Sequence, residues 1–494
     1  MLKLPAIFLF SLSFLFSQDV SVGYTLYTPG GQGGGSSATT YLKDENWSTV
    51  NSWSHDCGPA SMPYLLLGDE PGFENTLLYY PCKSSNPTME AGGVGGQVKI
   101  YNWDGDLLWS YALSNNDYQH HHDIAVLPNG NFIVVAWERF YASEWTQFGR
   151  SSVNNNLNQF WGTAFLEIEP DLSTPFEFDI VWEWHVTDHL VQDRGSQYVP
   201  TYGNISDHPE LMDVNCGNVG SNGGPGGQAN GDWMHVNAID YNAELDQIVF
   251  SSRHQSEIYI IDHSTTTAEA ASHSGGTQGM GGDFIYRWGN PSNYDSGSNS
   301  NNILNDQHGV NWIPSWYPEE AGAGNLILYN NFHNNNSSAA LEIVTPVNSD
   351  GSYNMLSGDV YGPSSYTWIH TGGFFSPVQS GAFRMPNGNT VISVAEDATI
   401  FEVDQSGDEV FSYSYPGNAM IARAQKYPPE FFDGIQGGLT GDINDDDIVN
   451  ILDIILLVNV VLGLSEASSS SDINEDGILN ILDIVNLVNI VLGA

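Results

Sequence analysis

GGQVKIYNWDGDLLWSY, residues 95–111, and IFEVDQSGDEVFSY, residues 400–413, are two copies of one unit near opposite ends of the chain. Each runs through a short β-branched and aromatic stretch, meets an acidic turn containing glycine, and leaves in a second apolar alternating stretch. That order reads as strand, turn, strand. The string PNGN recurs as well, at 128–131 and 386–389, each time ahead of an alternating run such as FIVVAWE. Loose repetition of a small β unit from Tyr24 to about Tyr415 points to propeller blades, whose radial packing leaves only short protected edges. The expectation is an all-β chain built as a six-bladed β-propeller with long insertions. A pair of β-sandwiches is the alternative. Fifty-two Gly and 23 Pro supply the turns that such a chain needs.

Composition removes whole classes of function. Fifty-eight acidic and 12 basic side chains give a formal charge of −46, so there is little to neutralise phosphates, and neither a nucleic acid nor an anionic membrane surface is an expected partner. With 41% apolar and 12% aromatic residues the chain can still bury a large core. Residues 1–17 carry an early Lys3, an apolar stretch and small Ser17, which reads as a secretory signal peptide. No later run is long enough to span a bilayer, so the expected location is secreted, periplasmic or extracellular. Export permits a disulfide, and Cys57 with Cys82 is the expected pair, leaving Cys216 free; three unpaired thiols are the alternative. The glycine-rich stretches at 29–35 and 217–231 neither follow a strand nor open a helix, so they read as surface loops rather than phosphate cradles.

Composition changes abruptly past Tyr427. After residues 18–430, read as the propeller, and a linker at 431–440, residues 441–494 hold GDINDDDIVNILDIILLVNVVLG and SDINEDGILNILDIVNLVNIVLG, thirty residues apart. Oxygen ligands at loop positions 1, 3, 5, 9 and 12, with a carbonyl at 7, make the cage that calcium prefers. The first loop offers Asp442, Asn444, Asp446, the Ile448 carbonyl, Asn450 and Asp453; the second offers Asp472, Asn474, Asp476, the Ile478 carbonyl, Asn480 and Asp483. Asp447 stands where the second loop has Gly477, which predicts a weaker first site. The duplicated segment resembles a type I dockerin, a small α-helical module with paired EF-hand-like calcium loops. The resemblance implies a cohesin module as partner. The bland reading is two solvated acidic loops beside core helices.

The 14 histidines gather in a few blocks, including HHHDIAVLPNGN (120–131), DWMHVNAIDYNAELDQIVFSSRHQSEIYIIDH (232–263) and NDQHGVNW (305–312). With VWEWHVTDHLVQD (181–193), RWGNP (287–291) and SGAFRMPNGNT (380–390), these blocks resemble the bacterial aryl-sulfate sulfotransferase family. The resemblance implies a propeller enzyme that moves a sulfuryl group from a phenolic sulfate ester to a phenolic acceptor, without a nucleotide donor, through a sulfohistidine. Motif by motif, the nucleophile falls on His308, supporting imidazoles on His122 and His235, and a guanidinium on Arg253; His121 competes with His122. Sulfuryl transfer spreads charge over equatorial oxygens, so a planar multi-donor Arg and a neutral imidazole are the side chains such chemistry needs.

Plainer readings stand beside each residue. His121, His122 and Asp123 could be a metal site, Arg253 an ordinary ion-pair partner, and His308 and His235 turn residues. Arg287, His189, His254 and Arg384 are read as structural or rim residues, and Trp182 and Trp184 as blade core. The rival functions are a non-catalytic ligand- or glycan-binding propeller and a sulfatase-like hydrolase. Convergence of His122, His235, Arg253 and His308 at one end of the propeller separates an enzyme from a binding module.

Overall fold

The computed structural model describes residues 20–434 apart from 31–36, 69, 225–226 and 357–359, together with the helices Ile451–Val461 and Ile481–Leu492 and a few residues flanking them. The expected signal peptide at 1–17 lies outside the described residues. Six four-stranded antiparallel sheets follow one another around a ring, which is the six-bladed propeller, and no sandwich forms. Blade 1 takes its outer strands from the start of the chain, Tyr24–Gly30, Ala38–Lys43 and Thr49–His55, and its innermost strand, Met420–Tyr427, from the end. The antiparallel seam between Tyr24–Gly30 and Met420–Tyr427 thereby closes the ring and removes an exposed edge.

The repeated strings fold as repeated turns. In the outer pair of blade 2, Asn102 N donates to Asp106 O (3.1 Å) and Gly105 N returns to Asn102 O (3.1 Å); in blade 6, Asp404 N donates to Asp408 O and Gly407 N to Asp404 O (both 2.9 Å). Both glycines sit at φ 87°, a conformation that costs a Cβ-bearing residue. The two PNGN turns match in the same way, with Leu127 N to Asn131 O and Met385 N to Asn389 O both at 2.8 Å.

Blades 3, 4, 5 and 6 begin on the inner strands Tyr118–Val126, Val236–Asn242, His308–Trp312 and Gly381–Arg384. Polar bonds tie these strands to their neighbours around the ring: Ile239 N to Asp123 Oδ2 (3.3 Å), Trp312 N to Asp240 Oδ2 (2.8 Å), Asn311 Nδ2 to Ala382 O (3.0 Å) and Leu65 N to the Tyr427 hydroxyl (3.0 Å). Arg423 pairs with Asp123 at 2.5 Å across the ring. Apolar side chains fill the space between blades. Trp184 is fully buried and stacks on Phe165 at 5.0 Å, and Trp182 is buried in the same cluster. The disulfide Cys57–Cys82 is formed and Cys216 is free. The helical turn Pro429–Phe432 still belongs to the propeller, because Phe432 is buried against Tyr24 and Phe73.

The two C-terminal helices pack on one another through Leu457 and Leu487, with Ile473 beside them. Among the described residues no helix is long and apolar enough to cross a membrane.

Candidate active site

His122 (φ 54°), His235 (φ 52°) and Asp306 (φ 54°), two residues before His308, hold left-handed backbone at the inner strands of blades 3, 4 and 5. At each place the ladder register slips: between His120 and Ile124, between Val236 and Ala238, and between His308 and Asn311. Bulges of this kind re-aim a side chain out of the sheet's alternation, and residues with a Cβ stay at positive φ only where their surroundings enforce it. All three breaks serve one cavity of about 1060 Å³, lined by His122, His235, His308, Arg253, His254 and Asp232. The four residues expected to converge therefore do so. Pro59, Ala60, Val94, Val378 and Met420 give the same cavity apolar walls.

His308 is buried, and its Nδ1 lies 2.8 Å from Asn331 Oδ1 and 3.0 Å from the Asp306 carbonyl. Both partners are acceptors, so Nδ1 carries the proton and Nε2 keeps its lone pair. Asn331 cannot turn over, because its Nδ2 donates to Ser376 O (2.9 Å) and Gln379 O (3.1 Å). Burial first, and the charge of Arg253 second, hold the His308 imidazole well below its ordinary protonation range. It is a neutral imidazole with one free nitrogen.

Asp232 positions His235. Its Oδ2 accepts from His235 Nδ1, while Oδ1 accepts from Trp137 Nε1 (2.9 Å) and His235 N (3.2 Å). Burial pushes the Asp232 carboxyl upward, but the neighbouring His235 and its hydrogen bond outweigh that and hold the group well below the usual carboxylate range. The His235 ring meets His122 edge-on at 4.6 Å and stacks on His254 at 4.8 Å. Burial, then the charges of His235 and His121, keep His122 neutral. Gly93 makes room for it: His122 N donates to Gly93 O (2.7 Å), and a Cβ on Gly93 would fall 1.9 Å from His122 Nε2.

Arg253 combines the two readings given to it. Nη2 pairs with Asp306 Oδ2 at 2.6 Å, yet the side chain lines the cavity and its Nε is buried with no hydrogen-bond partner. An orphaned guanidinium donor beside a cavity is costly unless a ligand takes it. Asp306 thus spends its carboxylate on Arg253 and its carbonyl on His308.

Of His121 and His122 the second lines the cavity, whereas His121 stacks on Trp137 at 4.1 Å. No metal cage forms from His121, His122 and Asp123. His121 Nδ1 bonds His122 Nδ1 (2.9 Å), and Asp123 is taken by Arg423 and by the Tyr64 hydroxyl (2.7 Å). Of the other residues singled out, Arg287 is fully buried on Glu257, with two contacts of 2.8 Å, and Arg384 is buried on Glu342. The second glycine-rich stretch is more than a surface loop: Gly217, Asn218, Gly220 and Asn230 form one wall of the cavity. Sequence reasoning assigned no role to Asp232 or Asn331. Asp232 heads a quoted block three residues before His235, which is a usable signal. Asn331 had none, because its role depends on the pairing of Tyr329 with His308 across the blade.

For the calcium loops, Asp442, Asn444, Asp446, Ile448, Asn450, Asp472, Asn474, Asp476 and Ile478 lie outside the described residues. Asp453 and Asp483 are buried at the first turns of their helices. Asp453 Oδ1 accepts from Ile443 N (2.8 Å), and Asp483 accepts from Ile473 N (3.0 Å) and Asn480 N (2.8 Å), so the repeats have matching carboxylate geometry.

A family model for arylsulfotransferases (ASST) matches residues 91–410, more than half of the chain. No curated protein matches. Among solved structures, a Bacteroides caccae protein of unknown function matches at 10% identity and TM-score 0.38, over 82% of this chain and 98% of that one. The Pseudomonas aeruginosa periplasmic gluconolactonase PpgL matches at 11% identity and TM-score 0.38, over 82% and 99%. Apo AztD from Citrobacter koseri matches at 7% identity and TM-score 0.35, over 82% and 98%. Likeness this distant carries no argument about chemistry. With the family's match running from blade 2 into blade 6 and enclosing His122, His235, Arg253 and His308, the chain belongs to the arylsulfotransferase family.

Proposed function

We propose that the protein is an aryl-sulfate sulfotransferase that works through a sulfohistidine on His308. One observation carries this reading: a buried, neutral imidazole with a free Nε2 shares its cavity with an arginine whose Nε has no partner. In the first half-reaction His308 Nε2 attacks the sulfur of a phenolic sulfate ester, the N–S bond forms and the S–O(aryl) bond breaks. The phenolate takes a proton from His235, which is held on the Asp232 carboxylate, with neutral His122 packed beside it, while Arg253 donates to the sulfonate oxygens as their charge grows. In the second, His235 removes the proton of an acceptor phenol, whose oxygen attacks sulfur as the N–S bond breaks and the neutral His308 imidazole returns. The apolar walls at Pro59, Ala60, Val94 and Met420 suit an aromatic ring.

The test is a chromogenic aryl sulfate incubated with and without added phenols, followed by mass spectrometry of enzyme mixed with donor alone. An acid-labile adduct on His308 and phenol-dependent release support the proposal. Release that ignores the phenol makes the protein a sulfatase-like hydrolase, and no release makes it a binding propeller.

The C-terminal repeats are read as a type I dockerin-like module in a secreted protein, with calcium held by the two loops. Helix residues Ile451, Leu452 and Ile455, and their counterparts Ile481, Leu482 and Val485, are exposed, which supports docking onto a cohesin. Residues 441–494 as a peptide should gain helix when calcium is added; equal helicity in chelator removes the claim.

A further inference from the structure

Another histidine group lies apart from this cavity, where the turn after blade 3 meets the loop between the last two strands of blade 4. His189 is fully buried and its ring lies parallel to Trp184, 5.4 Å away. Its Nδ1 is 2.7 Å from Asp283 Oδ1 and its Nε2 is 2.8 Å from the Ala270 carbonyl. His273, an exposed side chain, brings its own Nδ1 to 2.8 Å from that same Oδ1 and 3.0 Å from Oδ2. Two imidazole nitrogens thus point at one corner of one buried carboxylate.

Hydrogen bonding alone serves this arrangement poorly. A neutral imidazole has a single N–H, yet both nitrogens of His189 face acceptors. Either an extra proton sits in this buried corner, on the ring or on Asp283, or Nε2–H stays on the Ala270 carbonyl and the Nδ1 lone pair goes to a cation. Metal-binding histidines use the second arrangement: the other ring nitrogen donates to a backbone carbonyl, which fixes the tautomer and the ring plane.

We propose that His189 Nδ1, His273 Nδ1 and Asp283 Oδ1 bind one zinc-class divalent cation, with water in the remaining position. Two imidazoles and a carboxylate suit zinc far better than calcium or magnesium, which take oxygen ligands. The three ligand atoms lie within 4.8 Å of one another. Tetrahedral bonds of about 2.0–2.1 Å set ligand atoms roughly 3.4 Å apart, so the corner must open by a fraction of an ångström. His273, half in solvent, can make that adjustment while His189 stays fixed on Trp184. The cation would clamp residues 189 and 283, tying the start of the long insertion to blade 4. The site is unconnected with sulfuryl transfer.

The experiment uses the full chain, stripped with chelator, returned to calcium so that oxygen sites are filled, and then titrated with Co²⁺ and with Zn²⁺. One tight equivalent is expected, with the visible absorption of a tetrahedral cobalt centre. His273→Ala, an exposed substitution, should weaken that equivalent by at least about 100-fold, and Zn²⁺ should raise the melting temperature of the wild type but not of this variant. His254→Ala is the control, because Asp232, His235 and His254 are, among the described residues, the other group of this kind whose spacing would accept a metal; it should leave the equivalent in place. Asp283→Asn should abolish binding in any sample that folds. Absence of a tight equivalent, an unchanged affinity in His273→Ala, or loss of the equivalent in His254→Ala overturns the proposal.

Discussion

Two pairs of histidines in the propeller are kept in opposite states, His308 and His122 at the cavity and His185 and His263 toward the outside of the blades. On the blades' outer strands, His185 contacts Glu138 (3.0 Å) and Glu183 (3.2 Å), and His263 contacts Asp246 (2.7 Å) and Glu167 (3.0 Å). Burial opposes their charge, yet the paired carboxylates carry both imidazoles up to about 9. Around the channel, His308 and His122 meet carbonyl, amide or imidazole partners, and burial holds them well below their ordinary range. In a chain of charge −46, the harder state to maintain is the neutral one. Asp306 shows how it is done: its carboxylate is turned onto Arg253, and only its carbonyl reaches His308. That carboxylate is thereby neutralised, while the cation that neutralises it lines the cavity.

The severest way to break this comparison is to remove the neutral imidazole. His308→Ala should lower transfer by about 10⁴-fold or more and abolish label capture from donor, since it removes the nitrogen proposed to form the covalent intermediate. An active variant, or sulfate recovered on another residue, would overturn the assignment. Arg253→Lys comes next, with an expected loss of about 10²–10³-fold in kcat. It keeps the charge that Asp306 requires but not the planar fork. Near-normal turnover in the lysine variant would mean that charge alone suffices.

Much of this was legible in the sequence, for physical reasons that differ from residue to residue. The turns at Gly105 and Gly407 repeat as strings because both need the same left-handed backbone, so the fold could be read locally. His122, His235, Arg253 and His308 are chemistry-bearing residues in recognisable blocks. Asn331 and Arg423 were not legible, since each acts through a neighbour far away in the chain: Asn331 on His308 through a strand pairing, Arg423 on Asp123 across the ring. The wall built by Gly217 and Gly220 was missed because composition marks a loop without saying where it lies.

The outer group can be broken independently. His263→Gln keeps the size and one hydrogen bond but leaves Glu167 and Asp246, still bonded by Asn131 and Tyr241, without their cation, at a cost on the order of 2 kcal/mol, with little change in transfer. Because the folded group is raised, its contribution is complete below the unfolded value near 6.5 and disappears as pH climbs through about 9. Melting curves of wild type and variant should therefore differ at pH 6 and converge at pH 10. A gap that stays constant across that range would mean the loss is packing, not charge.

The smallest effect, and the one that separates the two groups most sharply, lies in the acid limb of sulfation. An imidazole with the ordinary value near 6.5 is about nine-tenths protonated at pH 5.5, a roughly tenfold loss of nucleophile. Burial and Arg253 place His308 well below that value, so its neutral form persists as pH falls through 6.5, and reactivity is lost only further down. The clean measurement is single-turnover labelling of His308 by a nitrophenyl sulfate, whose good leaving group needs no proton from His235. The labelling rate should stay nearly flat from pH 7 to 5.5 in the wild type and equally flat in His263→Gln, because the outer cation has no path to the nucleophile. Arg253→Gln removes the second cause of the depression, so its acid limb should move toward 6.5 even though its rate is lower throughout. A wild-type limb centred near 6.5 would show that the channel does not hold its histidine neutral, and the contrast with His185 and His263 would lose its meaning for catalysis.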